Sequence, residues 1–341
     1  LAQVYKGTDE HGHVVGGPAY YITKGLGEKF RPLAVFFSIA IIIALGCIGN
    51  MVQSNSISMA MNTAFGIPLV ATGIFTAIVS GLVFFGGVAR LASVTEKLVP
   101  FMAAIYIIGG SYVIIEHASQ IIPAFEMIFV AAFDPQAVAG GALGLTVAKA
   151  MQFGVARGLF SNEAGMGSTP HAHAIAKVDH PVEQGLVAMF GVFATLIVVT
   201  FTGVVILVTG VLDYQATGIE LTQKAYNVGL GSFGMSFVAI CLFFFAYSTI
   251  IGWYFFGEQN VRFLFTDKGL PYYRVLVCAF IIVGATLKVD LVWSLADLFN
   301  GLMVIPNLIA LLALNKVVVR NLDDFESKLN EYEAMMRSKK R

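Results

Sequence analysis

Residues 186–211 read LVAMFGVFATLIVVTFTGVVILVTGV, 26 positions without a charge. About 20 mostly apolar residues suffice for a helix to cross the hydrocarbon layer of a bilayer. Comparable runs occupy Leu33–Met59, Pro68–Gly87, Leu98–Ile115, Ala137–Phe160, Phe233–Phe256, Val275–Leu287 and Leu291–Leu314. With Leu186–Val211 they make eight expected spans. Ile121–Phe133 is apolar but too short to cross, and is expected to be an interfacial or re-entrant piece.

Composition agrees with that pattern. The 341 residues are 57% hydrophobic and 12% charged, with a mean hydropathy of +0.79. Soluble domains carry about 25% charged residues. Half that charge cannot cover a water-exposed surface of this size, so the outer surface is expected to face membrane lipid. The zero formal net charge gives no case for nucleic acid as a partner. Cys47, Cys241 and Cys278 lie inside apolar runs and are expected to pack as small side chains rather than form disulfides or bind metal.

Charge asymmetry sets an orientation. With the C-terminus on the cytoplasmic side, eight spans place 17 Lys and Arg inside and only Lys224 and Lys288 outside, with Lys149 and Arg157 within a span. That is the bias of the positive-inside rule. Counting 121–133 as a span would break the alternation. The expected division is a cytoplasmic loop over 1–32, a transmembrane domain over 33–316 and a cytoplasmic tail over 317–341. Phe325, Leu329, Tyr332 and Met335 give the tail helical spacing. The polar start LAQVYKGTDEHGHVV has no initiator Met and no apolar leader, so an N-terminal truncation is expected.

Polar groups inside spans need a reason, because burying them in hydrocarbon is costly. Asn50, Gln53 and Ser54 share one helical face near the end of the first span. They can bind an amino-acid zwitterion or bond a neighbouring helix. The stretch Ala137–Lys177 begins as a span and then meets Gly154, Arg157, Gly158, Ser161, Asn162, Glu163, Gly165, Gly167 and Pro170. This pattern suggests a helix broken near 153–158, since broken backbone at membrane depth is tolerated where it lines a cavity. A span ending at Phe153 and followed by a loop is the simpler reading. Arg157 is expected to pair with Glu163 or Asn162. Ser248 and Thr249 sit mid-span, with Gly252 and Trp253 a turn on. Their hydroxyls can bond back to carbonyls of their own helix or offer hard oxygens to sodium. Asp297, Asn300, Pro306 and Asn307 mark the last span as facing the bundle interior. His171 and His173 form an HxH pair with no companion ligands, which argues against a metal site. No nucleophile motif, phosphate loop or dinucleotide fingerprint appears, so an enzyme is not expected.

Five blocks together resemble a known family: GGPAYYI (16–22), GNMVQSNSI (49–57), ARGLFSNEAGMGSTPHAHAIAKVDHPVEQGL (156–186), STIIGWYFFGE (248–258) and DLFNGLMVIPNLIALL (297–312). They are similar to the alanine or glycine:cation symporters, the sodium:alanine symporter family. The resemblance implies an all-α polytopic bundle with the inverted-repeat fold of the amino acid–polyamine–organocation superfamily. The eight spans would be core helices three to ten, with the missing N-terminal helices needed to complete the site. It implies sodium-coupled transport of alanine or glycine across the cell membrane by alternating access, with sodium as the coupling ion and no other cofactor. It places Gln53, Phe153, Gly154 and Trp253 at the substrate and makes Ser248 and Thr249 sodium ligands. Proton coupling through Asp297 or Glu163, and a non-transporting amino-acid sensor, are the competing expectations.

Overall fold

The computed structural model describes residues 1–9, 11–133, 141–163, 165–212, 216 and 218–339. A two-stranded antiparallel hairpin, β1 (Gly7–Thr8) with β2 (Val14–Val15), follows the short helix α1 (Ala2–Tyr5). Next comes α2 (Pro18–Leu26), with proline in its first turn, where the missing N–H costs nothing. The cytoplasmic loop expected over 1–32 is thus an ordered segment. Ala19, Tyr21 and Ile22 of α2 are buried, and the Tyr21 hydroxyl donates to the Asn307 side chain near the end of the last span. Arg262 pairs with Asp267 and Glu258 and reaches Asp9 at 3.6 Å, tying the hairpin to the bundle.

The first span runs unbroken from Glu28 to Phe65 as 38 helical residues. It comprises one 3-10 turn, α3 (Arg31–Ile41), a π-helical stretch over Ile42–Gly49, and α4 (Asn50–Phe65). π-Helical winding is rare and concentrates at functional sites. Here it directly precedes the polar face of α4. Gly66 ends the helix in the left-handed conformation, φ 67°, and donates its N–H to the Asn62 carbonyl. Pro68 then starts α5 (Leu69–Phe84).

The remaining helices are α6 (Gly87–Glu116), α7 (Ile121–Phe133), α8 (Gly141–Asn162), α9 (Pro170–Ile175), α10 (Pro181–Val208), α11 (Ile219–Leu230), α12 (Phe233–Phe265), α13 (Leu270–Thr286), α14 (Val289–Ala313) and α15 (Asn315–Lys339). Residues 137–140 of the expected fourth span lie outside the described residues. Five helical segments among those described are long and apolar enough to cross a membrane: Glu28–Phe65, Arg90–Glu116, Pro181–Val208, Phe233–Thr286 and Val289–Ala313. The apolar helix α5 is shorter. The chain is a multi-pass membrane protein.

The core sits where α4, α12 and α13 meet. Ser54 donates to the Ile281 carbonyl at 2.7 Å, and the Asn55 amide donates to the carbonyls of Gly284 and Leu287 at 2.9 and 2.8 Å. These bonds fasten α4 to the C-terminal end of α13. The outer helices present apolar side chains outward, as Phe190, Phe193 and Ile197 of α10 do. A lipid-facing surface requires that arrangement.

Candidate functional site

Two contacts fix how α4 and its π-helical lead-in lie against α12. The Tyr273 hydroxyl fills the gap between Gly46 and Gly257, where a β-carbon on either residue would collide with it. One turn on, Gly49 lies against the six-membered ring of Trp253. A β-carbon there would stand 2.7 Å from the ring. Pairing 46 with 257 and 49 with 253 makes the helices antiparallel. Carried one further turn, the register sets Gln53 level with Thr249.

The polar residues along this seam have different roles. The Asn50 amide donates to the Gly46 carbonyl at 2.9 Å, bracing the π-helical stretch, and its own buried Oδ1 has no protein partner. Ser54 and Asn55 serve helix packing, as above. Gln53 is half-buried and makes no hydrogen bond to a described residue. Of the residues singled out on α4, Gln53 alone keeps its whole amide available. Thr249 donates to the Phe245 carbonyl at 3.0 Å, and Ser248 has the same carbonyl at 2.8 Å and the Met102 sulfur of α6 at 3.9 Å as acceptors. The hydroxyl lone pairs can still accept or ligate.

Trp253 is buried and held on three sides. Gly49 abuts its six-membered ring. Phe160 of α8 packs edge-on against it, with ring centroids 5.1 Å apart. Its indole N–H donates to Glu163 at 2.5 Å. The other Glu163 oxygen accepts from Ser168 at 2.5 Å.

Phe153 and Gly154 do not join this group. The helix expected to break over 153–158 is continuous to Asn162, because Gly154 and Gly158 meet no described side chain within 4 Å and nothing forces the backbone to turn there. Phe153 is 54% exposed. The chain turns instead at Glu163, which takes a left-handed φ of 51°, and through Gly165 and Gly167 at 75° and 84°. Three anchors shape this turn. Asn307 donates to the Gly165 carbonyl at 2.8 Å, the His171 Nδ1–H donates to the Ser168 carbonyl at 2.7 Å, and Asn260 donates to His171 Nε2 at 2.8 Å. Burial pushes the His171 imidazole down to about 4, outweighing the upward pull of the bonds to Ser168 and Asn260. The ring is neutral, with both nitrogens engaged.

Arg157 pairs with Asp297, not with Glu163 or Asn162. Its guanidinium makes a two-pronged bridge to that carboxylate, at 2.6 and 3.0 Å, and lies over the Trp293 ring at 4.0 Å. Asn162 and Glu163 sit five and six positions on, where the winding of the chain carries them away from Arg157. The expected interior face of the last span is therefore shared: Asp297 meets α8, and Asn307 holds the turn that follows it.

Residues 1–339 match the family model described as the sodium:alanine symporter family. The chain belongs to this family. Its members carry amino acids across membranes by cation-coupled symport, and nothing about the chain indicates catalysis. An "uncharacterized transporter" of Haemophilus influenzae is 42% identical over 98% of this chain and 74% of its own length. The "sodium/alanine symporter AgcS" of Methanococcus maripaludis is 42% identical over 97% and 74%. The "probable sodium/glutamine symporter GlnT" of Bacillus subtilis is 43% identical over 95% and 67%. Relatives named for alanine and for glutamine are thus equally similar, and overall identity does not choose the substrate of this symporter.

Among the residues tied to the seam, Gly49, Phe160 and Trp293 were not picked out as site residues from sequence, and Glu163 was named only as a partner for Arg157 or a proton carrier. A signal existed for Phe160, which lies three positions after Arg157 on the same face of α8.

Proposed function

We propose that the protein is a sodium-coupled symporter of a small neutral amino acid, alanine or glycine, working by alternating access across the cell membrane with its C-terminus in the cytoplasm. The observation that carries the substrate size is the placement of Trp253. A large ring held close against Gly49 would wall the seam where Gln53 has no hydrogen-bond partner among the described residues. A cavity bounded this way favours the smallest side chains, although size discrimination is worth only about 1–3 kcal/mol per methylene. Gln53 supplies both a donor for a carboxylate and an acceptor for an ammonium. Phe153 and Gly154 stand away from the seam and are left out of the proposed site.

Ser248 and Thr249 are the proposed sodium ligands. Each hydroxyl has an acceptor for its proton, which leaves oxygen lone pairs for a hard cation. Sodium bound there lies one turn from Trp253, so ion and substrate share the α12 surface. Reciprocity then follows: whatever factor sodium adds to amino-acid affinity, the amino acid adds to sodium affinity. The test is Ser248→Ala with Thr249→Ala in one protein. Uptake in proteoliposomes should need at least about tenfold more sodium for half-activation, as expected when a ligand interaction of about 1.4 kcal/mol or more is lost. An unchanged sodium dependence would remove both residues from the ion site.

A further inference from the structure

Trp253 is fixed by more than its own helix. The turn after α8 carries Glu163, whose two carboxylate oxygens accept from the Trp253 indole and the Ser168 hydroxyl. Among the described residues no Lys, Arg or His pairs with this carboxylate. The turn itself is pinned to α14 through Asn307, to α12 through His171 and Asn260, and to α2 through the Tyr21–Asn307 bond. A β-carbon on Gly167 would strike Asn307, Phe37 and Pro18, so the turn has no room to slide. Glu163 therefore stands on a rigid base. Its left-handed backbone, disfavoured for any residue but glycine, aims the side chain at Trp253. A tryptophan has two side-chain torsions, and a hydrogen bond at its far edge fixes the second.

We propose that Glu163 is a positioning residue that sets the orientation of the Trp253 ring and thereby the upper size limit of the transported amino acid. This rests on the reading of Trp253 as the substrate wall. It deepens that reading by placing the specificity control on a loop that does not itself touch the substrate. The bond is made where water is scarce, so a donor that loses its acceptor there finds no replacement. Ser168 holds the carboxylate at the angle that serves the indole.

The protein has two tryptophans. Trp293→Phe thus leaves Trp253 as the sole indole, and acrylamide quenching of its fluorescence reports whether the ring is held. In that background Glu163→Ala should raise the quenching constant about threefold or more. Glu163→Gln keeps an acceptor for the indole and a donor for Ser168, and should stay within about twofold of the parent. In proteoliposomes of the otherwise wild-type protein, Glu163→Ala should raise the KM for alanine about tenfold, as expected when a buried hydrogen-bond donor is left unsatisfied. Its kcat should change less, and inhibition by leucine should strengthen relative to alanine. Ser168→Ala should move the same quantities in the same direction by a smaller factor, which keeps the test open if Glu163→Ala folds poorly. Equal damage from Glu163→Gln and Glu163→Ala, with a displaced pH profile of uptake, would overturn the positioning role and make the carboxyl a proton carrier. Unchanged quenching in Glu163→Ala would also overturn it. Sodium-independent uptake by the wild-type protein would instead count against the sodium symport reading, since quenching reports the ring whatever ion drives transport.

Discussion

The middle of α8 and its C-terminal end both carry glycine and meet opposite surroundings. Around Met151–Val155 the side chains are exposed and Gly154 has open space beside it. From Arg157 to the turn at Glu163 the chain is fastened to two neighbouring helices. Arg157 binds Asp297 and covers Trp293, Phe160 sits edge-on between Trp253 and Trp293, and Glu163 holds the Trp253 indole. Glycine alone does not make a functional break. The backbone changes direction where partners on other helices hold it, at Glu163 and beyond, and there glycine supplies the left-handed conformations the turn needs.

The largest expected effect comes from removing the acid at the fastened end. Asp297→Ala leaves Arg157 with only the face of Trp293 as compensation. An unpaired cation within a membrane helix costs about 3 kcal/mol. Folded yield and thermal stability in detergent should fall accordingly, and a companion Arg157→Leu should recover most of the loss. If the double substitution is no better than Asp297→Ala, the pair is not what holds α8 to α14. A smaller loss is expected from Gly49→Ala, which drives a methyl into the Trp253 ring. Overpacking of this kind costs about 1–3 kcal/mol, and the KM for alanine should rise more than the melting temperature falls. The smallest effect belongs to the exposed middle of α8. Gly154→Ala should leave uptake unchanged and raise stability by up to about 1 kcal/mol, the usual gain of alanine over glycine inside a helix. Collapse of uptake in Gly154→Ala would restore the broken-helix reading of 153–158.

Much of the fold was legible because lipid imposes a simple code. The 26 uncharged residues of 186–211 could only be a long helix, and α10 spans nearly all of them. The segments hidden from that code are those that bury polar surface against protein. In 1–32, Tyr21 and Ile22 belong to a nine-residue helix too short and too polar to register as a span, yet they are fully packed. The same holds for α11, whose Gln223 donates to the Ala60 and Met235 carbonyls across the bundle. At the site, the family resemblance singled out Gln53, Trp253, Ser248 and Thr249, and the glycine contacts set Gln53 and Trp253 on the line where α4 meets α12. The partner of Arg157 was misjudged because sequence proximity favoured Glu163, whereas Asp297 comes from 140 residues away. The Glu163–Trp253 bond spans 90 residues and follows from a turn whose shape depends on Asn307, Asn260 and His171 together. No single spacing in the chain encodes it.

The most direct test is uptake of labelled alanine into proteoliposomes containing the protein, under an inward sodium gradient or with choline in place of sodium. Sodium-driven symport predicts accumulation in the first condition, little in the second, and competition by unlabelled glycine. Equal uptake in both salts would contradict sodium coupling, and bound alanine without uptake in either salt would contradict transport itself.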